Sequence, residues 1–498
     1  MISAFANSFK IPELRSRILF TLAMLVVFRV GTAITCPGIN SALLQQWFDS
    51  QINTSAGGSV AALFNIFSGG ALENCAILSL GVMPYISASI MLQLLTAVVP
   101  QLSKLAKEDG GRQRIMQYTR YTTIALCLFQ GYLLSLTFEN PAQSPFLGGI
   151  ERFMTIDNPL VFDPGLKFRL LTVLTLTAGT MFLMWIGDQL TDHGVGNGMS
   201  VIIAAGIVAQ LPAGMLQAWH TFVPAAGKAS QVNPMVLVLM IAFLVLVIAG
   251  VICVTQAQRK VSVQYAKRVV GRKVFGGQTQ YMPLKVNYAG VMPIIFAQAI
   301  LVFPSTIVKM LHSNSAEKIA DALTHGWIHY ALYGAMIFFF SYFWVATQFQ
   351  PQQIADDLKK YGGYIPGVRP GKPTADFLDF TMTRLTFAGA VFLTIIAILP
   401  QMLSEMLQVP YIAAQFFGGT SLLIVVGVVL DTMRQVETHL IQRHYDGFLR
   451  KGRIRGRFDR TPAGRGEAVQ QSALIWLYAA IGALIVAGVA ALLATRFH

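Results

Sequence analysis

The chain has 498 residues, of which 54% are hydrophobic and 12% charged, with a net charge of +14. Soluble domains carry roughly 25% charged residues, so this composition excludes an ordinary water-soluble enzyme and indicates a surface that largely faces lipid. The positive charge has two possible sources, a nucleic-acid surface or the lysine and arginine excess that membrane proteins keep on cytoplasmic loops.

Taken in chain order, apolar runs fall near residues 18–36, 76–99, 118–138, 168–190, 199–218, 234–255, 290–310, 329–348, 383–403, 412–435 and 472–495. Each approaches or exceeds the ~20 residues that cross a bilayer as a helix. All eleven are expected to be helical, because a backbone in lipid must satisfy its own hydrogen bonds. The chain therefore reads as an all-α polytopic membrane protein. Lys10, Arg15 and Arg17 precede the first run, as in a signal peptide. No clear small-residue cleavage site follows, so the run is read as a retained span.

Basic residues cluster in the loops 101–117, 256–289, 349–382 and 443–465, which follow spans 2, 6, 8 and 10. These loops share one side with the N-terminus, and the opposite loops are poor in lysine and arginine. That alternation is the positive-inside pattern and puts the N-terminus in the cytoplasm. No soluble domain is inserted. The four cysteines, Cys36, Cys75, Cys127 and Cys253, are dispersed without metal-site spacing. Isolated buried thiols are the simpler reading, and a Cys36–Cys75 disulfide stays open.

Between spans 1 and 2, "LFNIFSGGALENC" (63–75) is apolar but too short to cross, and Ser68-Gly69-Gly70 would interrupt any helix there. It fits either a re-entrant segment or an interfacial helix. Gln93, Gln130 and Gln298 are amides inside spans, placed to bond neighbouring helices or face a cavity. Arg29 could snorkel to an interface. Pro84 in span 2 and Pro293 with Pro304 in span 7 are expected to bend those helices. "GVGNG" (194–198) follows a span rather than a strand, so it is a tight turn and not a dinucleotide loop. There is no catalytic or cofactor motif, no metal-binding spacing and no paired intramembrane carboxylate. The last absence weighs against the alternative class, an inverted-repeat secondary transporter.

Several stretches together carry a resemblance. They are Phe64 to Leu72 (FNIFSGGAL), "GVMPYISASIMLQLL" (81–95), "GGRQRIMQYTRY" (110–121), "GVGNGMS" (194–200), "VQYAKR" (263–268), "GVMPIIFA" (290–297), "GGYIPGVRPG" (362–371) and "FGGTSLLIVVGV" (417–428). In this order they cover roughly residues 10 to 457. The chain resembles the SecY family, channel subunits of the Sec protein-translocation complex.

The resemblance implies a ten-helix SecY-like channel of two pseudo-symmetric five-helix halves, residues 1–218 and 219–457. It would pass unfolded chains across the membrane or release apolar helices sideways between spans 2 and 7. It implies an apolar pore ring of Val82, Ile86, Met199, Ile203, Ile295 and Ile424, and a plug over about 61–72 that includes Phe64, Asn65, Ile66, Phe67, Ser68, Gly69 and Gly70. Ser87, Gln93, Gln130 and Gln298 become lateral-gate residues. Arg259, Lys260, Lys267, Arg268, Lys359, Lys360 and Arg369 become docking residues for the ribosome or the SecA motor ATPase. Further implied partners are SecE-like and SecG-like small membrane subunits, nascent chains, signal sequences, unfolded precursors and anionic lipids, at a bacterial cytoplasmic membrane, with no cofactor. The tail 458–498, with its extra predicted helix 472–495, extends beyond the family pattern.

Overall fold

The structure is a computed structural model that describes residues 12–53, 65, 68–108, 110–141, 147, 150–154, 159–222, 234–265, 268–270, 273–275, 279–298, 300–301, 326–407 and 420–450. The predicted helix 472–495 and the rest of the tail lie outside them. Helices dominate. They are α1 (Pro12–Ala33), α2 (Ser41–Asn53), α3 (Met83–Val98), α4 (Pro100–Lys107), α5 (Gly111–Glu139), α6 (Leu166–His193), α7 (Gly198–Phe222), α8 (Pro234–Gln256), α9 (Trp327–Gln348), α10 (Pro351–Lys360), α11 (Lys372–Leu407) and α12 (Thr420–Arg450). A further helical run occupies 292–298. Among the described residues, six helices are long and apolar enough to cross a membrane.

The apolar runs locate the long helices but not α2, α4 or α10, and two proline roles need correction. Pro84 sits in the first turn of α3 and Pro293 is the second residue of the 292–298 run, so both start helices rather than bend them. Proline suits that position because the first helical N–H groups have no intrahelical partner anyway. Pro304 lies outside the described residues. The predicted span 76–99 is therefore helical only from Met83. Its first part, 76–82, is a chain of turns that includes Gly81 at φ +56°. The bend in this span comes instead at Val99, held extended at φ −91° and ψ 112° before Pro100, and α3 meets α4 at 96°.

Loops sort to two ends of the bundle. At one end the 194–198 turn is a hub. Arg17 Nη1 donates to the Gly194 carbonyl at 3.3 Å, Val195 N–H to Thr21 Oγ1 at 3.2 Å, and Gly196 N–H to Gln435 Oε1 at 3.1 Å. These bonds tie α1, α6, α7 and α12 together at the end where the sequence clusters its basic loops. At the other end, α2 packs Leu43, Leu44, Trp47 and Phe48 under the chain at 138–168 in one apolar cluster. Two antiparallel bridges, Thr35 to Ala76 and Ile39 to Val161, close this cap.

The basic loops also fold against each other. β1 (Gln258–Tyr265) pairs antiparallel with β4 (Thr279–Lys285) on one edge and with β5 (Gly363–Tyr364) on the other. A smaller hairpin, β2 (Arg268–Val270) with β3 (Lys273–Phe275), extends from it. Val261, Val263, Leu284 and Ile365 under the sheet share an apolar cluster with Val345 and Phe349 at the α9 end and with Leu378 and Met382 of α11. Two basic loops far apart in sequence thus form one packed layer on the helical bundle.

Candidate pore and plug site

Six apolar side chains from four parts of the chain converge in the central core. Val82, Ile86, Ile203, Ile295 and Ile424 are all buried in a single cluster, and Met199 packs against it half-buried. Val82 immediately precedes α3 and Ile86 lies on its first turn. Met199 and Ile203 are one turn apart on α7, Ile295 belongs to the 292–298 run, and Ile424 is in the first turns of α12. Spacing of four residues on α3 and α7 puts each pair on one helix face. The chain carries no charge at these six positions, so the side chains there offer water no polar partner. Its fit depends on glycine. A Cβ on Gly187 of α6 would overlap Met199 Sδ, so the thioether in its present position rests in the notch that glycine leaves.

Against this cluster docks the segment after α2. Of the predicted plug, Asn65 and Ser68 to Leu72 are described; Phe64, Ile66 and Phe67 lie outside the described residues. Asn65 organises the turn. Its Oδ1 accepts the Glu73 N–H at 3.0 Å, its Nδ2 donates to Glu73 Oε2 at 3.1 Å, and its carbonyl accepts the Gly70 N–H at 2.9 Å. Gly69 and Gly70 take φ of +71° and +86°, so the predicted helix interruption occurs there.

Three helices hold this root. Arg29 Nη1 of α1 donates to the Gly69 carbonyl at 2.9 Å, and Gln210 Nε2 of α7 donates to the Asn65 carbonyl at 3.3 Å. Asn74 Nδ2 donates to the Thr32 carbonyl of α1 at 3.3 Å, and Gln45 Nε2 of α2 donates to Asn74 Oδ1 at 2.6 Å. A Cβ on Gly69 would come within 3.0 Å of Gly206 Cα, so two glycine backbones touch where the root meets α7. Arg29 is exposed along its length and ends on the Gly69 carbonyl. The signal for its role was an arginine within an apolar run; the signal for Gln210 and Gly206 was too plain to separate from packing.

The amides expected at a lateral gate are not joined. Gln93 Nε2 donates to Ser89 Oγ within α3 at 3.3 Å. Gln298 Oε1 is buried with no hydrogen-bond partner among the described residues. Ser87 and Gln130 are half-buried. No hydrogen bond links Gln93, Gln130 and Gln298 among the described residues.

The predicted docking residues concentrate on the sheet and its neighbour α10. Arg259 and Lys260 are exposed on β1, opposite Leu284 and Pro283. Arg268 opens β2, while Lys267 lies outside the described residues. Lys359 and Lys360 are exposed at the end of α10, and Lys360 approaches Asp357 at 3.8 Å across open solvent. The loop carrying exposed Arg369 is ordered by its own backbone. Val368 N–H donates to the Ile365 carbonyl at 3.0 Å around Pro366-Gly367, with Gly367 at φ +82°. Proline then glycine with positive φ is the signature of a type II turn. Thr374 Oγ1 donates to the Arg369 carbonyl at 2.8 Å, fixing the loop to α11.

A multi-pass helical bundle, a sealed apolar seam and a short non-spanning segment latched against it define the class of helical membrane channels. The SecY family profile matches residues 76–433. The protein translocase subunit SecY of Thermotoga maritima is 40% identical over 461 residues, which span 92% of this chain and 100% of the relative. The chain belongs to the SecY family, and it is a protein-conducting channel of protein translocation. The fold agrees at low sequence identity. A structure described as showing that the plug domain of the SecY protein stabilises the closed state of the translocation channel superposes with a TM-score of 0.57 at 18% identity, over 88% of this chain and 98% of that one. Sec61 in a canine ribosome–channel complex superposes with a TM-score of 0.53 at 15% identity, over 88% and 98%.

Proposed function

We propose that Val82, Ile86, Met199, Ile203, Ile295 and Ile424 form the constriction of this channel, and that the segment at about 61–72 is its plug. The observation that carries this reading is the convergence of all six on one apolar cluster, with the Asn65–Leu72 root latched beside it by Arg29 and Gln210. An apolar ring excludes water and hydrated ions by dewetting, while aliphatic side chains and a flexible methionine yield to any passing peptide.

The channel is arranged as two five-helix halves, residues 1–218 and 219–457, which part between span 2 and span 7. Ser87, Gln93, Gln130 and Gln298 are the polar residues of that gate. Gln298 Oε1 has no hydrogen-bond partner among the described residues, and such an atom is costly to bury, so a gate that opens to a polar signal sequence or water gives it a use. The tail 458–498 adds a helix at 472–495 beside the bundle.

The N-terminus and the sheet lie in the cytoplasm of a bacterial cell, where the sheet receives SecA or the ribosome through Arg259, Lys260, Lys267, Arg268, Lys359, Lys360 and Arg369. These cations suit ribosomal RNA phosphates or acidic patches on a motor, both salt-sensitive partners. SecE-like and SecG-like subunits and anionic lipids complete the assembly. Vesicles that hold the purified chain with those subunits test the reading. Added motor ATPase, ATP and an unfolded precursor yield protease-protected precursor if it is right. Uptake of small solutes without such protection would sink it in favour of a transporter.

A further inference from the structure

Two of the four cysteines face each other. The bridge between Thr35 and Ala76 sets an antiparallel register in which Cys36 stands opposite Cys75, and the Cys36 N–H donates to the Cys75 carbonyl at 2.8 Å. The Cys75 N–H turns back to the Leu72 carbonyl at 2.9 Å, but the direct backbone bond from Cys36 keeps the two Cα atoms close enough for the roughly 4.4–6.8 Å that disulfides span. Both side chains are buried in the same apolar cluster beneath α2, and both are free thiols in this structure. Cys75 also has φ +44°, the sole positive φ outside glycine among the described residues. Glycine or asparagine would adopt that backbone more readily, so the cysteine is there for its side chain, which packs in the cluster and puts a thiol beside Cys36.

We propose that Cys36 and Cys75 are a disulfide-forming pair, which staples the outer end of α1 to the root of the plug. The proposal rests on the topology above, in which this end of the bundle faces the oxidising side of the membrane. Burial pushes both thiols up from their ordinary range; Cys75 rises further, chiefly through its deeper burial and secondarily through Cys36 beside it. The packed pair is therefore inert, since exchange needs a thiolate that an oxidant can reach. Bonding belongs to assembly, before α2 covers the site. One thiolate attacks a disulfide oxidant and forms a mixed disulfide, expelling the first oxidant thiol. The second thiolate then displaces the other. The chain loses two electrons and two protons, and the oxidant disulfide becomes two thiols. With Cys75 fixed, the plug can pivot only upstream, where Gly69 and Gly70 already hold positive φ.

The full-length chain, isolated from its membranes without reductant and denatured, is alkylated with N-ethylmaleimide before and after reduction. Two adducts before reduction, four after it, and a non-reduced peptide joining Cys36 to Cys75 are expected. Reductant is also expected to lower the apparent unfolding temperature of the native chain by several degrees but not that of the double variant Cys36→Ser, Cys75→Ser. Four adducts without reduction, or a bond to Cys127 or Cys253, would overturn the proposal. In a variant whose four native cysteines are replaced by serine, a membrane-impermeant maleimide on Ser41→Cys reads the side independently. Labelling from outside supports the topology and isolates any failure to the chemistry. Labelling only from inside overturns the topology and the disulfide with it.

Discussion

Arg29 lies in the first apolar helix with its guanidinium on a carbonyl of the plug root. A charge placed there is costly unless it is bonded, so the contact stabilises the arginine and, if this segment is the plug as proposed, its closed position. Hydrogen bonds from charged groups contribute about 1.5–3 kcal/mol, which converts to a roughly tenfold to hundredfold change in a two-state population. Arg29→Leu is therefore expected to raise ion leak through the resting channel by about that factor, read as dye release from vesicles without precursor. Unchanged leak in a folded variant would remove Arg29 from the latch. Gly69→Ala attacks the same point differently. Alanine at φ +71° costs about 1–2 kcal/mol, and its Cβ would meet Gly206 Cα at 3.0 Å. The variant is expected to leak more than wild type and to secrete precursors with defective signal sequences.

At the scale of elements, the sheet is the part most weakly announced by sequence. Gln264 and Tyr364 pair across a hundred positions of chain, and Tyr364 Oη donates to Gln264 Oε1 at 3.0 Å. Nothing local in "GGYIPGVRPG" encodes a partner that distant. The glycine and proline framework marks its turn, at Pro366-Gly367. By contrast, α2 was legible and missed. Leu43, Leu44, Trp47 and Phe48 recur at helical spacing in a short segment, but a search tuned to bilayer-length runs passes over it. The prolines at 84 and 293 misled because proline inside an apolar run reads as a kink until the helix start is known. The joined sheet makes a prediction of its own. A side chain on Gly363 would press on Tyr265 at 3.0 Å and Val263 at 3.3 Å, so Gly363→Val is expected to displace β5 and the Arg369 loop together. Arg369→Glu should weaken partner docking by about tenfold at low salt, and less as ionic strength rises, with the channel still inserted and assembled. Both are checked by motor-driven translocation against resting leak; loss of the folded protein in Arg369→Glu would contradict a docking role.

For the whole molecule, the helical membrane architecture was legible because lipid imposes it on every apolar run of sufficient length. The candidate central site could be named from the sequence only through shared motifs. Taken singly, Ile86 or Ile424 is an ordinary apolar residue in a span, and only the folded chain brings residues from positions 82 to 424 into one cluster. The account's central claim is that translocating polypeptide passes through that cluster. The most direct measurement stalls a precursor in the channel with photo-reactive residues placed one at a time at Val82, Ile86, Ile203, Ile295 and Ile424. Exposed Val26 and Leu174, at 62% and 65% on the outside of the bundle, serve as controls. The account predicts crosslinks to precursor from the five cluster positions and none from the two controls. Equal labelling at Val26 and Leu174, or silence at the cluster, would contradict it.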